Sequence, residues 1–390
     1  MTSSVLVTDG QLRSGLAVVR SLGARDVRVV CGESTRVATA KLSKYVDDTV
    51  VYPPPDTDPV GFLDAIESVL RTDDIDVVIP VAHETTALLS EHRERFADLA
   101  RIPVPPHETF VNGWDKAETF CAAERAGVPR PQTECPDGPE EAARVADAIG
   151  YPVVIKARTS SGSRGLEFVE SPDEFAATYE RVHASYPEPL VQERIPQEGG
   201  MYGAAFIYND DYEPRVGFAC EFVREFPPSG GPSTLHRSID GEDVRSHARD
   251  LLDELDWTGA ALVEFKRDVR DDTPKLMEVN PRLWSSLHLP MFAGIDFPWR
   301  YLQYANGDEV PESFDYETDV YSRYILPGDL LRLAAVRNRE ALREFFPLFA
   351  DGLNYEIPAL DDPGPTLGRL AAISRYAASP KMWRKAILRR

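Results

Sequence analysis

Residues 261–282 read ALVEFKRDVRDDTPKLMEVNPR, and this stretch decides the fold of the chain more than any other. Apolar and polar residues alternate on both sides of a turn-like VRDDTP segment, which predicts two antiparallel strands joined as a hairpin. A symmetric register sets Glu264 directly across from Glu278, and the alternation places Asn280 on the same face as Glu278. We therefore expect two carboxylates and one amide to share one face of a sheet.

Two carboxylates directly opposite each other repel, so this arrangement needs a partner cation. Carboxylate and amide oxygens are ligands that Mg²⁺ prefers, and phosphate oxygens commonly complete its shell. The pattern at Glu264, Glu278 and Asn280 therefore indicates a magnesium site. A solvated acidic face in an acidic protein is the alternative, and the apolar neighbours of these residues do not exclude it.

A second informative stretch is residues 151–170, YPVVIKARTSSGSRGLEFVE. Lys156 ends an apolar strand and is followed by the small, Gly/Ser-rich segment 160–165. Such a loop exposes backbone N–H groups that can cradle a phosphate, and Arg164 adds positive charge. The spacing is not that of a Walker A motif, and a hairpin turn between two strands is the alternative.

Composition and charge exclude several classes of protein. The chain has 390 residues, 43% of them apolar, which is enough for two or three packed domains. The formal net charge of −21 argues against general nucleic-acid binding, which needs a basic surface. Only eight lysines accompany 35 arginines. An acidic, lysine-poor surface is typical of proteins that stay soluble in molar salt, so we infer a halophilic, archaeal source. A GC-rich genome that favours arginine codons is the alternative.

Residues 1–110 alternate short apolar strands with helical patterns, which predicts a doubly wound parallel sheet. Ligands gather at the carboxyl ends of such strands, here residues 9–14 and 83–85. The first strand–helix turn, DGQLRSG, lacks the GxGxxG fingerprint of dinucleotide-binding enzymes. The four cysteines form no CxxC pair, and the segment MTSSVLVTDG lacks the features of a signal peptide, so we expect a reducing cytoplasm.

Five motifs in one order resemble those of the ATP-grasp superfamily, closest to its carbamoyl-phosphate-synthase-like branch of carboxylate–amine ligases. They are Lys116 in WDKAETFCAAERAGVPRP, Lys156 in VVIKARTSSGSRG, residues 192–195 (QERI), Glu264, and residues 278–282 (EVNPR). The resemblance covers roughly residues 1–310. It implies an α/β and α+β fold, with a preATP-grasp doubly wound parallel-sheet domain followed by an ATP-grasp fold of a small lid domain and a larger antiparallel-sheet domain. The expected division is 1–110 for the preATP-grasp domain, 111–190 for the lid, 191–310 for the large subdomain and 311–390 for a C-terminal extension.

The resemblance also implies a role for each motif. Lys116 and Lys156 would neutralise the phosphates of ATP, beneath a lid that includes Ser161, Gly162, Ser163 and Gly165. The adenine hinge would be Gln192, Glu193, Arg194 and Ile195, with Glu193 or Glu198 near the ribose, although Met201 stands where relatives often carry an acid. Glu264, Glu278 and Asn280 would hold two Mg²⁺ ions, with Mn²⁺ as an alternative. Arg282, with Lys156 and Asn280, would act catalytically by stabilising the transferred phosphoryl group or the substrate carboxylate.

Candidate substrate residues are less specific. Arg224 and the 227–237 segment, which contains Ser233, occupy the position of a substrate-facing loop in relatives. Ser285 follows the metal motif, and His83 and Glu84 end a strand of the first domain. A turn, a helix cap or a surface histidine explains each of them equally well.

The implied reaction activates a carboxylate as an acylphosphate and couples it to an amine, so the partners are small molecules and not nucleic acid. A bicarbonate- or formate-activating enzyme and a non-catalytic ATP-binding regulator are the alternatives. The oligomeric state is left open, with a homodimer as one candidate.

Residues 381–390, KMWRKAILRR, are basic and amphipathic. They indicate either a helix docked on the acidic body of the protein, which we favour, or a weak contact with a membrane surface or an anionic partner.

Overall fold

The computed structural model describes residues 3–160, 164–227 and 231–378. The chain divides into two compact units. Unit 1 comprises Met1–Val104, Ser233–Ser238 and Arg282–Arg390, and unit 2 comprises Pro105–Pro232 and Ile239–Pro281. Unit 1 is therefore built from three separate segments of the sequence.

The first part of unit 1 is a four-stranded sheet whose strands are all parallel, in the order β3-β2-β1-β4. Its apolar core includes Leu6, Val30, Phe62 and Val78. The predicted doubly wound sheet is confirmed, because the continuous apolar run in β4 is buried as expected for a strand covered on both faces. The elements are β1 (Ser4–Val7), α1 (Arg13–Gly23), β2 (Arg28–Glu33), β3 (Asp48–Val51), α2 (Pro59–Thr72), β4 (Val77–Ile79) and α3 (His83–Glu91).

In their described residues, the later segments of unit 1 contribute three strands and five α-helices. β11 pairs antiparallel with β14, and β14 pairs parallel with β15. These elements are β11 (Ser233–Ile239, of which residues 233–238 belong to unit 1), α9 (His288–Phe292), α10 (Phe297–Asn306), β14 (Tyr321–Arg323), α11 (Leu330–Val336), α12 (Arg339–Phe345), β15 (Leu353–Tyr355) and α13 (Gly364–Ala377).

Unit 2 contains a small antiparallel sheet in the order β5-β8-β6-β7. Its core packs strand residues such as Val153, Ile155 and Val191 against the helix residues Phe175 and Tyr179. This sheet and its helices are β5 (Thr133–Glu134), α6 (Pro139–Ile149), β6 (Val153–Lys156), β7 (Leu166–Val169), α7 (Pro172–His183) and β8 (Leu190–Glu193).

Unit 2 also contains a larger antiparallel sheet in the order β13-β12-β9-β10. The hairpin predicted from residues 261–282 is present as its β12–β13 pair, which is joined by a short turn. The elements are α4 (His107–Trp114), α5 (Lys116–Arg125), β9 (Met201–Tyr208), β10 (Pro214–Glu225), α8 (Glu242–Glu254), β12 (Gly259–Asp268) and β13 (Thr273–Asn280).

Two details of the sequence analysis need correction. The helical pattern of residues 114–126, which ends at Gly127, predicts one helix, but Asp115 has extended backbone angles and separates α4 from α5. The 227–237 segment was expected to be a loop, but β11 begins at Ser233. Residues Leu235, His236 and Arg237 of this strand pair with β14, which makes the segment part of a sheet. Within the described part of the chain, no helix has the length and apolar character that a bilayer-crossing segment requires.

Candidate functional site

Glu264 on β12 lies directly across from Glu278 on β13, as the symmetric register predicts. A shift of register follows immediately, between Glu264 and Phe265. Asn280 Nδ2 donates a hydrogen bond of 2.9 Å to Glu264 Oε1 and lies 3.5 Å from Glu278 Oε1. All three side chains are partly exposed, so their oxygens remain accessible to a ligand.

Two lysines lie at the same site. Lys116 Nζ lies 3.4 Å from Glu278 Oε2 and donates to the carbonyl oxygen of Ser160 at 3.1 Å. Lys156 Nζ donates to Gln192 Oε1 at 3.2 Å and to the carbonyl oxygen of Met277 at 3.3 Å. Lys116 is 4% exposed and Lys156 is 7% exposed. Lysines are rarely this buried, and when they are they have partners.

The two lysines are brought together by Asp115 and Arg158. Asp115 caps α5 by accepting a hydrogen bond from the backbone of Ala117, and it also forms an ion pair of 2.7 Å with Arg158. The backbone N–H of Lys116 donates to the carbonyl oxygen of Arg158 at 3.1 Å. Since Arg158 follows Lys156 by two residues, these contacts tie the first residue of α5 to the carboxyl end of β6. Neither residue was predicted from the sequence, although an Asp immediately before a helical pattern is a recognised cap signal.

Burial and the positive charge of Lys116 together lower the pKa of Lys156 to about 8, against the raising effects of Glu278 and Glu264. The ammonium group therefore loses its proton at a lower pH than an ordinary lysine does. A polyphosphate placed at this site would favour the charged form.

The residues present fit a magnesium ion that is shared with phosphates. The described residues contain no cluster of three or more His, Cys, Asp or Glu side chains arranged to hold a metal. Two carboxylates and an amide are too few for a closed protein cage, but they suit Mg²⁺, which keeps water or phosphate in most of its positions. The opposed carboxylates supply the negative charge that such an ion needs.

The predicted hinge residues have mixed surroundings. Gln192 is buried, and its side chain is held between Lys156 and Thr133, whose hydroxyl accepts from Gln192 Nε2 at 2.8 Å. Ile195 is also buried. Gln192 therefore orients the lysine through its side chain, while its backbone belongs to β8.

Three charged residues of the hinge region lie nearer the surface. Glu193 pairs with Arg270 at 2.5 Å, and Arg194 pairs with Glu170. Glu198 is exposed. The ribose contact proposed for Glu193 or Glu198 stays a prediction, as does the adenine contact of the hinge.

The Gly/Ser loop is described only at its ends. Ser161, Gly162 and Ser163 lie outside the described residues. Gly165 has φ +67°, and a Cβ there would lie 2.7 Å from the Cβ of Ala157. The glycine is thus required by the backbone path that returns the chain from β6 into β7.

One charged pair near this site was not anticipated. Lys266, two residues after Glu264 on β12, and Glu225 at the end of β10 are both partly buried and interact electrostatically. Burial lowers the pKa of Lys266 and raises that of Glu225. The scarcity of lysine was a usable signal for Lys266, since it is one of only eight.

Several predicted residues belong to unit 1 and are described within that unit. Arg282 is partly buried and donates to the carbonyl oxygen of Leu283 at 2.8 Å. Ser233 and Ser285 meet at Arg13, whose Nη2 donates to the Ser233 carbonyl at 2.9 Å and to Ser285 Oγ at 3.1 Å. Arg13 was not predicted as a site residue, although it lies in the 9–14 segment. Arg13 also pairs with the buried Glu356 at 2.8 Å.

The two strand ends at which ligands were expected to gather lie beside each other in the first domain. Asp9 Oδ2, after β1, accepts hydrogen bonds from Thr85 Oγ1 at 2.6 Å and from the backbone of Ala82 at 2.7 Å. His83 is buried and Glu84 is partly buried at the start of α3. In unit 2, Arg224 is buried near the end of β10. Nothing in these contacts assigns a substrate role to His83, Glu84 or Arg224.

The fold is an ATP-grasp fold, and the comparisons agree with it. Residues 115–194 match the family model described as "Carbamoyl-phosphate synthase L chain, ATP binding domain". This matched segment contains Lys116, Lys156 and Gln192.

Among curated proteins, the C-terminal section of the carbamoyl phosphate synthase large chain of Methanopyrus kandleri is 27% identical over 206 residues, which are 49% of this chain and 37% of that protein. This chain therefore spans little more than a third of that relative.

Among solved structures, the biotin carboxylase–β,γ-ATP complex of Campylobacter jejuni superimposes with a TM-score of 0.70 at 18% identity, covering 82% of this chain and 74% of that one. The biotin carboxylase domain dimer of Hydrogenobacter thermophilus 2-oxoglutarate carboxylase, in complex with MgADP, ADP and bicarbonate, gives a TM-score of 0.68 at 18% identity, covering 82% and 73%. At this identity the structural likeness establishes the fold alone.

Proposed function

We propose that this protein is an ATP- and Mg²⁺-dependent ligase that activates a carboxylate as an acylphosphate and couples it to an amine. The observation that carries the proposal is the joint placement of Lys116, Lys156, Glu264, Glu278 and Asn280 at one site of unit 2. Two buried cations and two opposed carboxylates are complementary to a polyphosphate with its metal ion. The match of residues 115–194 to an ATP-binding family supports the same assignment.

The proposed reaction has two balanced steps. A carboxylate oxygen attacks the γ-phosphorus of ATP, the bond from that phosphorus to the bridging oxygen breaks, and ADP leaves. The amine nitrogen then attacks the acyl carbon, the carbon–oxygen bond to the phosphate breaks, and inorganic phosphate leaves while the amine proton passes to solvent. Such chemistry depends on positioning and charge neutralisation and requires no nucleophilic side chain.

The chain's own residues would divide this work. Lys116 and Lys156 would bind phosphate oxygens, and Gln192 would orient Lys156. Glu264, Glu278 and Asn280 would hold Mg²⁺, or Mn²⁺ in its place, which would supply further neutralisation of phosphate charge. Loop 160–165 would exclude water from the reactive acylphosphate. Arg282 would stabilise the transferred phosphoryl group or the substrate carboxylate.

The proposal is tested by measuring ADP release from Mg²⁺–ATP in molar KCl with a panel of amino acids, dicarboxylates and amines, singly and in pairs. A ligase requires one acid and one amine together. If neither the acid nor the amine raises the rate of ADP release above the rate with Mg²⁺–ATP alone, the proposed coupling is contradicted.

Activation of bicarbonate is the second candidate, because a structural neighbour was solved in complex with bicarbonate and MgADP. The same assay separates the two, since bicarbonate alone would then stimulate ADP release. A non-catalytic ATP-binding regulator is disfavoured, because the carboxylates, the amide and both lysines are all present at one site. A cytoplasmic location and a halophilic archaeal source remain predictions of the sequence, and a homodimer remains one candidate for the oligomeric state. The contact predicted for residues 381–390 falls on residues that lie outside the described part of the chain.

A further inference from the structure

Lys266 on β12 is a partly buried lysine of unit 2 to which the proposed function gives no role. Among the described residues, its ammonium group forms no hydrogen bond, and it interacts with Glu225 electrostatically, beyond the distance of an ion pair. Arg194 and Glu198, which follow β8, also act on it electrostatically. A charge that loses part of its hydration without a direct partner is costly, so Lys266 is suited to a ligand that supplies one.

Lys266 lies on the face of the large sheet that carries the carboxylate pair. In the ladder between β12 and β9, Glu264 is opposite Gly203 and Lys266 is opposite Met201. On the other side of β9, Phe222 of β10 is also opposite Met201. Because directly opposed residues share a face, Lys266, Met201 and Phe222 form a row across three strands, about 6.6 Å along β12 from Glu264. We call these three residues the Lys266 row.

The Lys266 row offers a ligand an apolar floor with a cation at one end. Met201 and Phe222 are both apolar, and both are partly exposed. The other face of the same sheet is covered, because Phe265 is fully buried there and its ring centre lies 6.4 Å from that of His247 on α8. Small-molecule sites commonly combine apolar walls with a few placed polar groups, and the row has this composition.

Glu225 defines the chemistry of the ligand that suits this position. Its carboxylate accepts a hydrogen bond from the backbone N–H of Gly231, which holds it at the end of β10. A group bound between Lys266 and Glu225 has to accept from the ammonium and donate to the carboxylate. A phosphate is anionic and only accepts, so Glu225 repels it. A nucleoside has both functions, since its ring nitrogens and ribose oxygens accept while its amino group and hydroxyls donate.

We infer that Lys266 and Glu225 bind the nucleoside of ATP and so position its triphosphate at Lys116 and Lys156. The ammonium donates to an acceptor of the base or ribose, and the carboxylate accepts from a donor of the same nucleoside. Lys156 and Lys266 are near enough for their charges to interact, so one ATP molecule can contact both. The inference rests on the proposed function, because it takes ATP as the ligand of this face.

Calorimetric titration with Mg²⁺–ATP and with Mg²⁺–tripolyphosphate tests the inference, because tripolyphosphate has the phosphates without the nucleoside. Lys266→Met keeps the apolar stem beside Met201 and Phe222 but removes the donor. It should weaken ATP binding about tenfold or more and leave tripolyphosphate binding within about twofold of wild type. Lys266→Arg retains a donor and should recover most of the ATP affinity. Lys156→Ala, by contrast, should weaken the binding of both ligands.

Two further variants complete the design. Lys44→Met is the matched control, because it removes an exposed lysine of unit 1, and both affinities should stay at wild-type values. Glu225→Ala removes the acceptor and should show the same selective loss of ATP affinity, so the test does not depend on the folding of Lys266→Met. Circular dichroism identifies the variants that are folded.

The possible outcomes separate this inference from the proposed function. Equal weakening of ATP and tripolyphosphate binding in Lys266→Met would assign Lys266 to the phosphates and overturn the inference. Wild-type ATP affinity in the folded Lys266→Met and Glu225→Ala variants would overturn it as well. Wild-type protein that fails to bind tripolyphosphate would contradict the proposed function itself, whose lysines are assigned to phosphates, and the inference with it.

Discussion

Lys156 is the residue at which burial and function conflict most directly. Its pKa is lowered to about 8 by burial and by the charge of Lys116, yet phosphate binding needs it protonated. We therefore expect ATP affinity to weaken as pH rises above 8, by about tenfold at pH 9, and binding there to take up a proton. Calorimetry in buffers of different ionisation enthalpy measures both effects.

Lys156→Arg is the matched control for that titration, because arginine stays charged across the whole range. Its ATP affinity should not change between pH 7 and pH 9. If wild type and this variant show the same pH dependence, then the titrating group is not Lys156.

The same shift affects stability. The pKa of Lys156 is lower in the folded protein than the ordinary value of 10.5, so the unfolded chain binds more protons between pH 8 and 10.5. The contribution of Lys156 to the free energy of unfolding therefore becomes more favourable as pH rises through this window. The free energies of unfolding of wild type and Lys156→Met, measured by urea unfolding, should therefore converge as pH approaches 10.5.

Glu278 provides a test of the metal assignment. Glu278→Gln keeps the size of the side chain but removes the charge opposite Glu264, so Mg²⁺-dependent turnover should fall about a hundredfold or more. Glu94→Gln, an exposed acid in unit 1, is the control and should retain full turnover. Full activity of the Glu278 variant would mean that the metal lies elsewhere.

At the residue scale, the sequence was sufficient to predict the carboxylate pair but not the residues that position the side chains around it. The period of two along residues 261–282 placed Glu264 opposite Glu278, because side-chain faces follow directly from strand geometry. Arg158 and Arg13 were missed because each acts through a partner that is distant in the sequence, and periodicity assigns a face but not a partner. Asp115 carried a local signal as the cap of α5, but its ion pair with Arg158 has no such signal.

At the scale of the element, the start of α5 sets the position of Lys116. Asp115→Ala removes the helix cap and the ion pair with Arg158, so the free energy of unfolding should fall by about 1–2 kcal/mol. ATP affinity should fall as well, because the backbone of Lys116 is tied to Arg158. Asp115→Asn retains the cap oxygen and should recover most of the stability.

Urea unfolding and ATP titration of the two Asp115 variants separate capping from charge. If Asp115→Ala unfolds like wild type and binds ATP equally well, then this contact does not position the lysine.

The turn after β6 offers a second test at this scale. Gly165→Ala meets a positive φ and a close contact with Ala157, whereas Gly127→Ala meets a positive φ alone, with nothing within 4 Å of the new Cβ. Positive φ costs about 1 kcal/mol in both variants, and overpacking adds about 1–3 kcal/mol at Gly165. Thermal unfolding should therefore show a larger decrease for Gly165→Ala, and equal decreases would contradict the close contact.

Elements with a strong local pattern were predictable, whereas those set by tertiary pairing were not. The parallel strands of unit 1 and the β12–β13 hairpin follow from apolar runs and alternation. β11 was mistaken for loop because its first residues follow a Gly/Pro/Ser segment, whereas tertiary pairing, such as that of Leu235, His236 and Arg237 with β14, makes it a strand. The return of residues 282–390 to unit 1 has no local signal at all.

At the scale of the whole molecule, the charge of −21 predicts a dependence on salt. Self-repulsion of the acidic surface is screened as ionic strength rises, so the melting temperature should increase from low salt to molar KCl. Thermal unfolding across a KCl series checks this, with sucrose as a non-ionic control. A melting temperature that stays constant or decreases with KCl would favour a GC-rich genome, rather than adaptation to salt, as the reason for the low lysine content.

The central claim is that the buried lysines of unit 2 bind the phosphates of ATP. Its most direct test is calorimetric titration of wild type and Lys156→Ala with Mg²⁺–ATP at neutral pH, with circular dichroism to show that both are folded. The account predicts saturable binding by wild type and at least about tenfold weaker binding by the variant, since one charge-assisted contact is lost. Equal affinities in two folded proteins would remove Lys156 from the site and contradict the account.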